Sequence, residues 1–326
     1  MVNNNKLAER LPDRTDSGFL AGLRSNRVAK DLWRDKVLYL FLLPAIVLVV
    51  VFSYIPMYGV LIAFQDVKIG DTFGAGEWMG LYHFQRFFKS IWLEILLKNT
   101  VVISIVSYVF GWICNMGLAL LLHNATNVKI KKLAQSITYI PNLLSTVIVI
   151  AILRLFVERE GGLINVLLTK VFETKAYDFF AEPDAFLPMY IISSIWANCG
   201  AGAVVYIGAL ASVEEEMVEA ARIDGASKLQ IIWYIQLPSI RNTIITMLIM
   251  NMGRLFAVGA DKVLLMQTDL NLEASEVIST YIYKAGVGSA QYGFSSAIGL
   301  FQNVINVTMM LIVNFISDKL ADTSII

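Results

Sequence analysis

Residues 219–238 read EAARIDGASKLQIIWYIQLP. The stretch is polar and helix-forming, with Gly225 inside it and Pro238 at its end. It lies between two strongly apolar runs, one ending VVYIGAL (204–210) and the next holding TIITMLIM (243–250). Just upstream, Ser212-Val213-Glu214-Glu215 has the form of a capping box. Glu214, Glu215 and Glu216 fill the first turn, where negative charge suits the helix dipole. A helix is therefore expected from here to Asp224. Gly225 can adopt the left-handed conformation that ends a helix. Ser227-Lys228-Leu229-Gln230 repeats the capping pattern, so a second helix should run to about Gln236. Pro238 should stop it, because the residue before a proline, Leu237, is biased away from helical angles. Around the turn, Ala220, Ala221, Gly225 and Ala226 let another backbone or side chain approach closely. Glu219 and Arg222 flank them with charge. The residues alone support two readings equally: a protein-docking knuckle, or a capped connection whose alanines serve helix propensity.

The rest of the chain says what is being connected. Of its 326 residues, 57% are hydrophobic and 16% charged, and mean hydropathy is +0.64. Soluble domains carry about 25% charged residues, so the composition reads as an integral membrane protein. Formal net charge is zero, which gives no reason to expect a nucleic-acid partner. Cys114 and Cys199 both lie in apolar runs and read as packing residues. His83 and His123 are far apart and lack neighbours at metal-ligand spacing, so no metal site is expected. A spanning helix needs roughly 20 apolar residues. Six stretches qualify: Val37–Ala63, Thr100–Leu122, Leu133–Phe156, Leu187–Leu210, Asn242–Val258 and Phe294–Ile316. The fifth is interrupted by Asn251 and Arg254. With both termini cytoplasmic, the inner segments hold 15 Lys and Arg against 9 in the outer ones, as the positive-inside rule requires. That orientation puts residues 211–241 in the cytoplasm and makes the protein multi-pass. The first 36 residues form a basic arm without a signal-peptide core, and 317–326 form a short tail. Phe84, Phe87, Phe88, Ile91, Trp92, Ile95 and Leu96 recur at helical spacing before the second span. They predict an amphipathic helix, either interfacial or packed on the bundle.

The opening stretch also carries a family resemblance. Glu219-Ala220-Ala221, Asp224-Gly225-Ala226, Ile235 and Leu237-Pro238 resemble the EAA motif of bacterial ABC importer permeases. LYLFLLPAIVLVVVFSYIPMYGVLIAFQDV (38–67), GGLINVLL (161–168), EASEVISTYIY (273–283) and SSAIGLFQNVINV (295–307) resemble LplB-type permeases of the carbohydrate-uptake group. The resemblance covers most of the chain but not the arm before about Ser25. Many relatives have Ile-Pro ahead of the first helix, where this chain has Ser212-Val213. The resemblance implies an all-α, polytopic type I ABC importer permease fold with six transmembrane helices over 37–316. It implies a coupling loop over 211–238, in which Glu219, Ala220, Ala221, Asp224, Gly225, Ala226 and Pro238 dock on an ATPase subunit, Glu219 facing a basic group there. The implied partners are a second, homologous permease subunit forming a heterodimer, two cytoplasmic ABC ATPases, an extracytoplasmic solute-binding protein and membrane lipid. ATP and Mg would sit on the ATPases and no cofactor on this chain, which lacks a GxxxxGK[ST] loop. Gly286-Val287-Gly288 reads as a turn.

Polar side chains inside spans are the candidates for a substrate path, because unpaired polar groups are costly in lipid. They are Asn198, Asn251, Arg254, Gln302, Asn303 and Asn306, with Asn115 beside them and Trp196 and Tyr206 as aromatic platforms for sugar. Asn251 and Asn303 lie in the fifth and sixth spans, which line the path in the family. Arg254 would suit an anionic sugar, or else snorkel to the interface or pair with Asp261. Against each stands helix–helix bonding. The resemblance implies an oligosaccharide cargo, which for some LplB-type permeases is rich in uronic acid. Another solute of the same ABC class is the alternative. An ion-coupled carrier is disfavoured because no Asp or Glu lies in any span. A membrane glycosyltransferase would need an acid such as Asp224, which the EAA spacing already explains.

Overall fold

The computed structural model describes residues 36–68, 70, 76–252, 255–256 and 258–321, with side chains as far as 315. Most of the predicted arm and tail therefore lie outside the described residues, as does Arg254. The chain divides into two compact units, meeting in sequence at Gly59 and Val60. The first unit is described as helix α1 (Lys36–Val49) and its continuation, none of whose residues in α1 is buried. Helical structure continues without interruption to Phe64. It passes through a π turn at Val50–Tyr54, immediately before Ile55-Pro56. The wider π turn takes up the proline ring, which cannot fit a regular α-helical turn.

The second unit is a helical bundle with one small ribbon. Strand β1 (Gln65–Asp66) pairs antiparallel with β2 (Glu77–Trp78), Gln65 opposite Trp78 and Asp66 opposite Glu77. Helix α2 (Tyr82–Phe88) follows, then α3 (Trp92–His123), with Ser90 Oγ accepting from the Trp92 N–H at 3.2 Å. The expected amphipathic helix is thus two pieces, a short helix and the first turns of a span. Phe87 and Leu96 pack in a buried cluster with Ile278, Phe294 and Ile298, while Phe88 and Ile91 stay exposed.

The third predicted span is not straight. Helix α4 (Val128–Tyr139) runs through a 3-10 turn to Leu143, and α5 (Thr146–Val157) leaves at 104° to it. Pro141 removes a donor, Leu144 is extended (φ −81°, ψ 143°), and Ser145 caps α5 by accepting from the Ile148 N–H. A hydropathy window sees only apolar residues here; the Pro-Asn-Leu-Leu-Ser run sets the break. Helix α6 (Leu163–Val171) precedes the long α7 (Pro183–Leu210). Asn165, fully buried, ties the start of α6 to the chain beyond it. Its Nδ2 donates to the carbonyls of Val157, Glu158 and Tyr177 at 2.9–3.0 Å.

The polar insert holds α8 (Glu215–Ile223) and α9 (Lys228–Ile231), and after it come α10 (Arg241–Met252), α11 (Ala260–Met266), α12 (Ile278–Tyr283) and α13 (Tyr292–Ala321). Of the fifth predicted span, the described residues hold the 12-residue α10. At 1.5 Å per residue it falls short of a hydrocarbon layer about 30 Å thick. Among the described residues, four helices are long and apolar enough to cross a membrane, or five counting the bent pair as one. The expected count of six spans is therefore not reached among the described residues. Gly286–Gly288, expected as a turn, end a π turn from Lys284.

Close packing explains two of α7's glycines, Gly200 and Gly202. A Cβ on Gly200 would lie 2.1 Å from the Thr138 carbonyl oxygen of α4, and one on Gly202 2.3 Å from the Asn115 amide of α3. The α4 contact is with backbone, whereas the α3 contact is with the Asn115 side chain. Cys114 and Cys199 are free and half-buried.

Candidate coupling site and pathway residues

The polar insert folds as two helices about a tight turn. Helix α8 (Glu215–Ile223) is capped at Glu214, not Ser212. The first capping box does not form, because Ser212 Oγ donates back to the Ala209 carbonyl at 2.7 Å and so extends the end of α7. At the other end, Gly225 has φ +83°. The Ala226 N–H donates to the Ala221 carbonyl (2.9 Å) and the Gly225 N–H to that of Arg222 (3.1 Å). This double closure is the Schellman arrangement that satisfies terminal carbonyls. Helix α9 (Lys228–Ile231) starts at Ser227 in a complete capping box with Gln230.

Pro238 does not stop the helix. Leu237 is helical (φ −63°, ψ −45°), and the chain passes through a π turn at Ile232–Gln236 before the proline. This is the device seen ahead of Pro56. The break falls later, at Ile240 (φ −97°, ψ 10°). Glu219, Ala220, Asp224, Gly225 and Pro238 are exposed and Ala221 and Ala226 half-buried. Beside them Ile223 is 86% and Leu229 68% exposed. Charge, small residues and bare aliphatic side chains thus share one projecting turn.

At the root of this turn lies a cavity of about 340 Å³, lined by His123, Asn124, Val218, Arg222 and Gln236, among others. Gln236, only 1% exposed, forms a reciprocal amide pair with Asn124. Each side-chain N–H₂ donates to the other's carbonyl oxygen at 3.0 Å. Asn124 also donates to the Leu120 carbonyl at the end of α3. Gln236 is the unassigned position in the Ile-Gln-Leu-Pro run, so motif spacing gave no reason to single it out.

The candidate pathway residues separate by burial. Gln302 and Asn306 are buried and hold the backbone of one residue, Phe256, on both sides: Gln302 donates to the Phe256 carbonyl, and Asn306 accepts from the Phe256 N–H at 3.2 Å. They satisfy non-helical backbone inside the bundle, a need the bilayer makes acute. Asn251 and Asn303 are exposed, Asn251 donating to the Met247 carbonyl. Asn198 is exposed on α7 and accepts from Asn142 at 3.3 Å. Asn115 is pressed against Gly202. Trp196 is half exposed, whereas Tyr206 is buried in the cluster of Met116, Ala203 and Leu210.

The family model described as binding-protein-dependent transport system inner membrane component matches residues 107–322. The chain belongs to this family. It is a multi-pass inner-membrane permease of binding-protein-dependent transport, and its helices have the type I ABC permease fold. Protein LplB of Bacillus subtilis (strain 168) is 34% identical to it over 95% of this chain and 98% of its own. The polygalacturonan/rhamnogalacturonan transport system permease protein YteP of the same organism is 32% identical, over 98% and 99%. Among solved structures, a bacterial ABC transporter involved in the import of the acidic polysaccharide alginate is similar, with 34% identity and a TM-score of 0.83 over 90% of this chain and 99% of that one. A bacterial alginate ABC transporter in complex with alginate pentasaccharide-bound periplasmic protein gives 32% identity and a TM-score of 0.84, over 92% and 100%.

Proposed function

We propose that this chain is the membrane-spanning subunit of an ATP-driven importer of oligosaccharides that carry carboxylates. The observation that carries the reading is the projecting turn of Ala220, Ala221, Gly225 and Ala226, closed by its own hydrogen bonds. A connection serving only to join two spans has no need of an exposed Ile223 and Leu229 at its tip. In this reading the turn seats on a cytoplasmic ATPase, and Glu219 meets a basic group there. Two such ATPases bind ATP and Mg, and a sister permease completes the pore. A solute-binding protein delivers the sugar from outside, and the termini face the cytoplasm, where the 15 inner Lys and Arg lie. The acidic cargo is drawn from relatives whose names give polygalacturonan, rhamnogalacturonan and alginate. Exposed Asn198, Asn251 and Asn303 offer amides to sugar hydroxyls.

The test is ATP hydrolysis by the assembled transporter in liposomes, with and without the sugar-loaded binding protein. Gly225→Val forces a β-branched residue to φ +83°, although nothing lies within 4 Å of its new Cβ. It should abolish the sugar-stimulated increment while the subunit still inserts and assembles. An unchanged increment would overturn the coupling role.

A further inference from the structure

Lys262 is an ammonium without a counter-ion. It lies on α11, outside the apolar stretches, and reaches across to α7. There Nζ donates to the Tyr190 carbonyl at 2.8 Å and to Ser194 Oγ, 4.3 Å from the centre of the Tyr190 ring. It forms no ion pair among the described residues; Asp261 beside it in sequence is exposed. Burial lowers its pKa to about 7. A charge drawn out of water is normally paired, and this one is held by a carbonyl and a hydroxyl with no carboxylate among the described residues.

Below Lys262 the polar contacts continue. Tyr190, Ser194 and Asn198 are spaced four residues apart and share one face of α7. Asn198 Nδ2 donates to the Ser194 carbonyl at 2.9 Å, and its Oδ1 accepts from Asn142. From Tyr190 to Asn198 is roughly 12 Å of helix. Asn142 sits in the turn that breaks the third apolar stretch by 104°. Non-helical backbone at membrane depth is tolerated where it is buried or lines a polar cavity, and discontinuous helices mark binding sites in other transporters. The Asn142 carbonyl oxygen accepts no hydrogen bond among the described residues, and Asn198 is exposed. The track therefore retains spare hydrogen-bonding capacity.

We propose that Lys262, Ser194, Asn198 and Asn142 form a substrate track along α7, in which Lys262 receives the carboxylate of a uronate residue and the amides below it take sugar hydroxyls. The assignment rests on the importer reading above. It names a charge-reading residue that neither the EAA motif nor hydropathy points to.

The experiment is uptake into liposomes holding the complete transporter, supplied with its binding protein. An oligogalacturonate is compared with the same oligosaccharide after its carboxyls are reduced to alcohols. Lys262→Met should lower oligogalacturonate uptake about 10- to 100-fold, the range for losing a hydrogen bond to a charged group. It should leave the reduced sugar within about twofold, and Lys262→Arg should restore most of the loss. Asn198→Ala should slow both sugars alike. An equal loss of both sugars in Lys262→Met would make the lysine a helix clamp and overturn the proposal, as would no loss of either. Wild-type uptake of the reduced sugar alone would overturn the carboxylate role while leaving the importer reading standing. Uptake of neither would overturn both.

Discussion

The Asn124–Gln236 pair gives the sharpest test of how the insert is tied to the bundle. Its two members are unequally placed. Gln236 is 1% exposed and has no other side-chain partner. Asn124 is half-buried and keeps its bond to the Leu120 carbonyl at 3.0 Å. Asn124→Leu therefore leaves both polar atoms of Gln236 sealed from water and unpaired. At about 1–3 kcal/mol for each orphaned group, the cost should be about 2–6 kcal/mol. Gln236→Leu removes the buried amide altogether and leaves Asn124 able to recruit water, so its cost should be about 1 kcal/mol. Replacing both by Leu should cost little more than Gln236→Leu alone, giving a double-mutant coupling of at least about 1 kcal/mol. The assay is denaturant unfolding of the purified transporter in mixed micelles, followed by a label on the insert. Sugar-stimulated ATP hydrolysis in the same preparations reports whether motion still passes from α8 and α9 to α3. Equal losses in the two single variants, or additivity in the double one, would refute the reasoning.

Gly200→Ala should separate α7 from α4, because its new Cβ would meet a backbone carbonyl at 2.1 Å; a loss of about 1–3 kcal/mol is expected. Gly208→Ala on the same helix meets nothing within 4 Å and should be neutral or stabilising by up to about 1 kcal/mol; thermal unfolding of the two side by side decides. Gln302→Leu should cost about 1–3 kcal/mol by orphaning the Phe256 carbonyl, and accelerated proteolysis after Met252 would report the loosened segment. Lys262 has a folded pKa of about 7 against an ordinary 10.5, with Tyr190 the titratable side chain facing it. Between those values the unfolded chain binds more protons, so stability should rise with pH through that window. Lys262→Met should abolish that rise; a wild type no more stable at pH 9 than at pH 7 would contradict the burial.

Several features were legible because they are local. Gly225's left-handed turn follows from a glycine set between two helical patterns. Ser227 and Gln230 form their capping box because its partners are three residues apart. Apolar runs of sufficient length gave α3, α7 and α13. Local rules also misled where a neighbour offered something else. Ser212 had a capping sequence but bonded back to Ala209, so the helix began at Glu215. Leu237 stayed helical because a π turn took up the proline. The third apolar stretch met the hydropathy criterion, which does not register the break at Pro141.

The chain's membrane character, its polar insert and the position of the turn within that insert were determined by the sequence itself, through composition and spacings of a few residues. Which amides hold the bundle together and which face outward was decided by tertiary structure. Gln302 and Asn303 are adjacent and chemically alike, yet one grips the Phe256 peptide and the other is exposed. The same holds for Gln236 and Asn124, which meet 112 residues apart, and for Lys262, whose unpaired charge is apparent only once α11 lies against Tyr190 and Ser194. Helical spacing fixes the direction of a side chain relative to its own helix, whereas its role depends on which other helix comes to lie there.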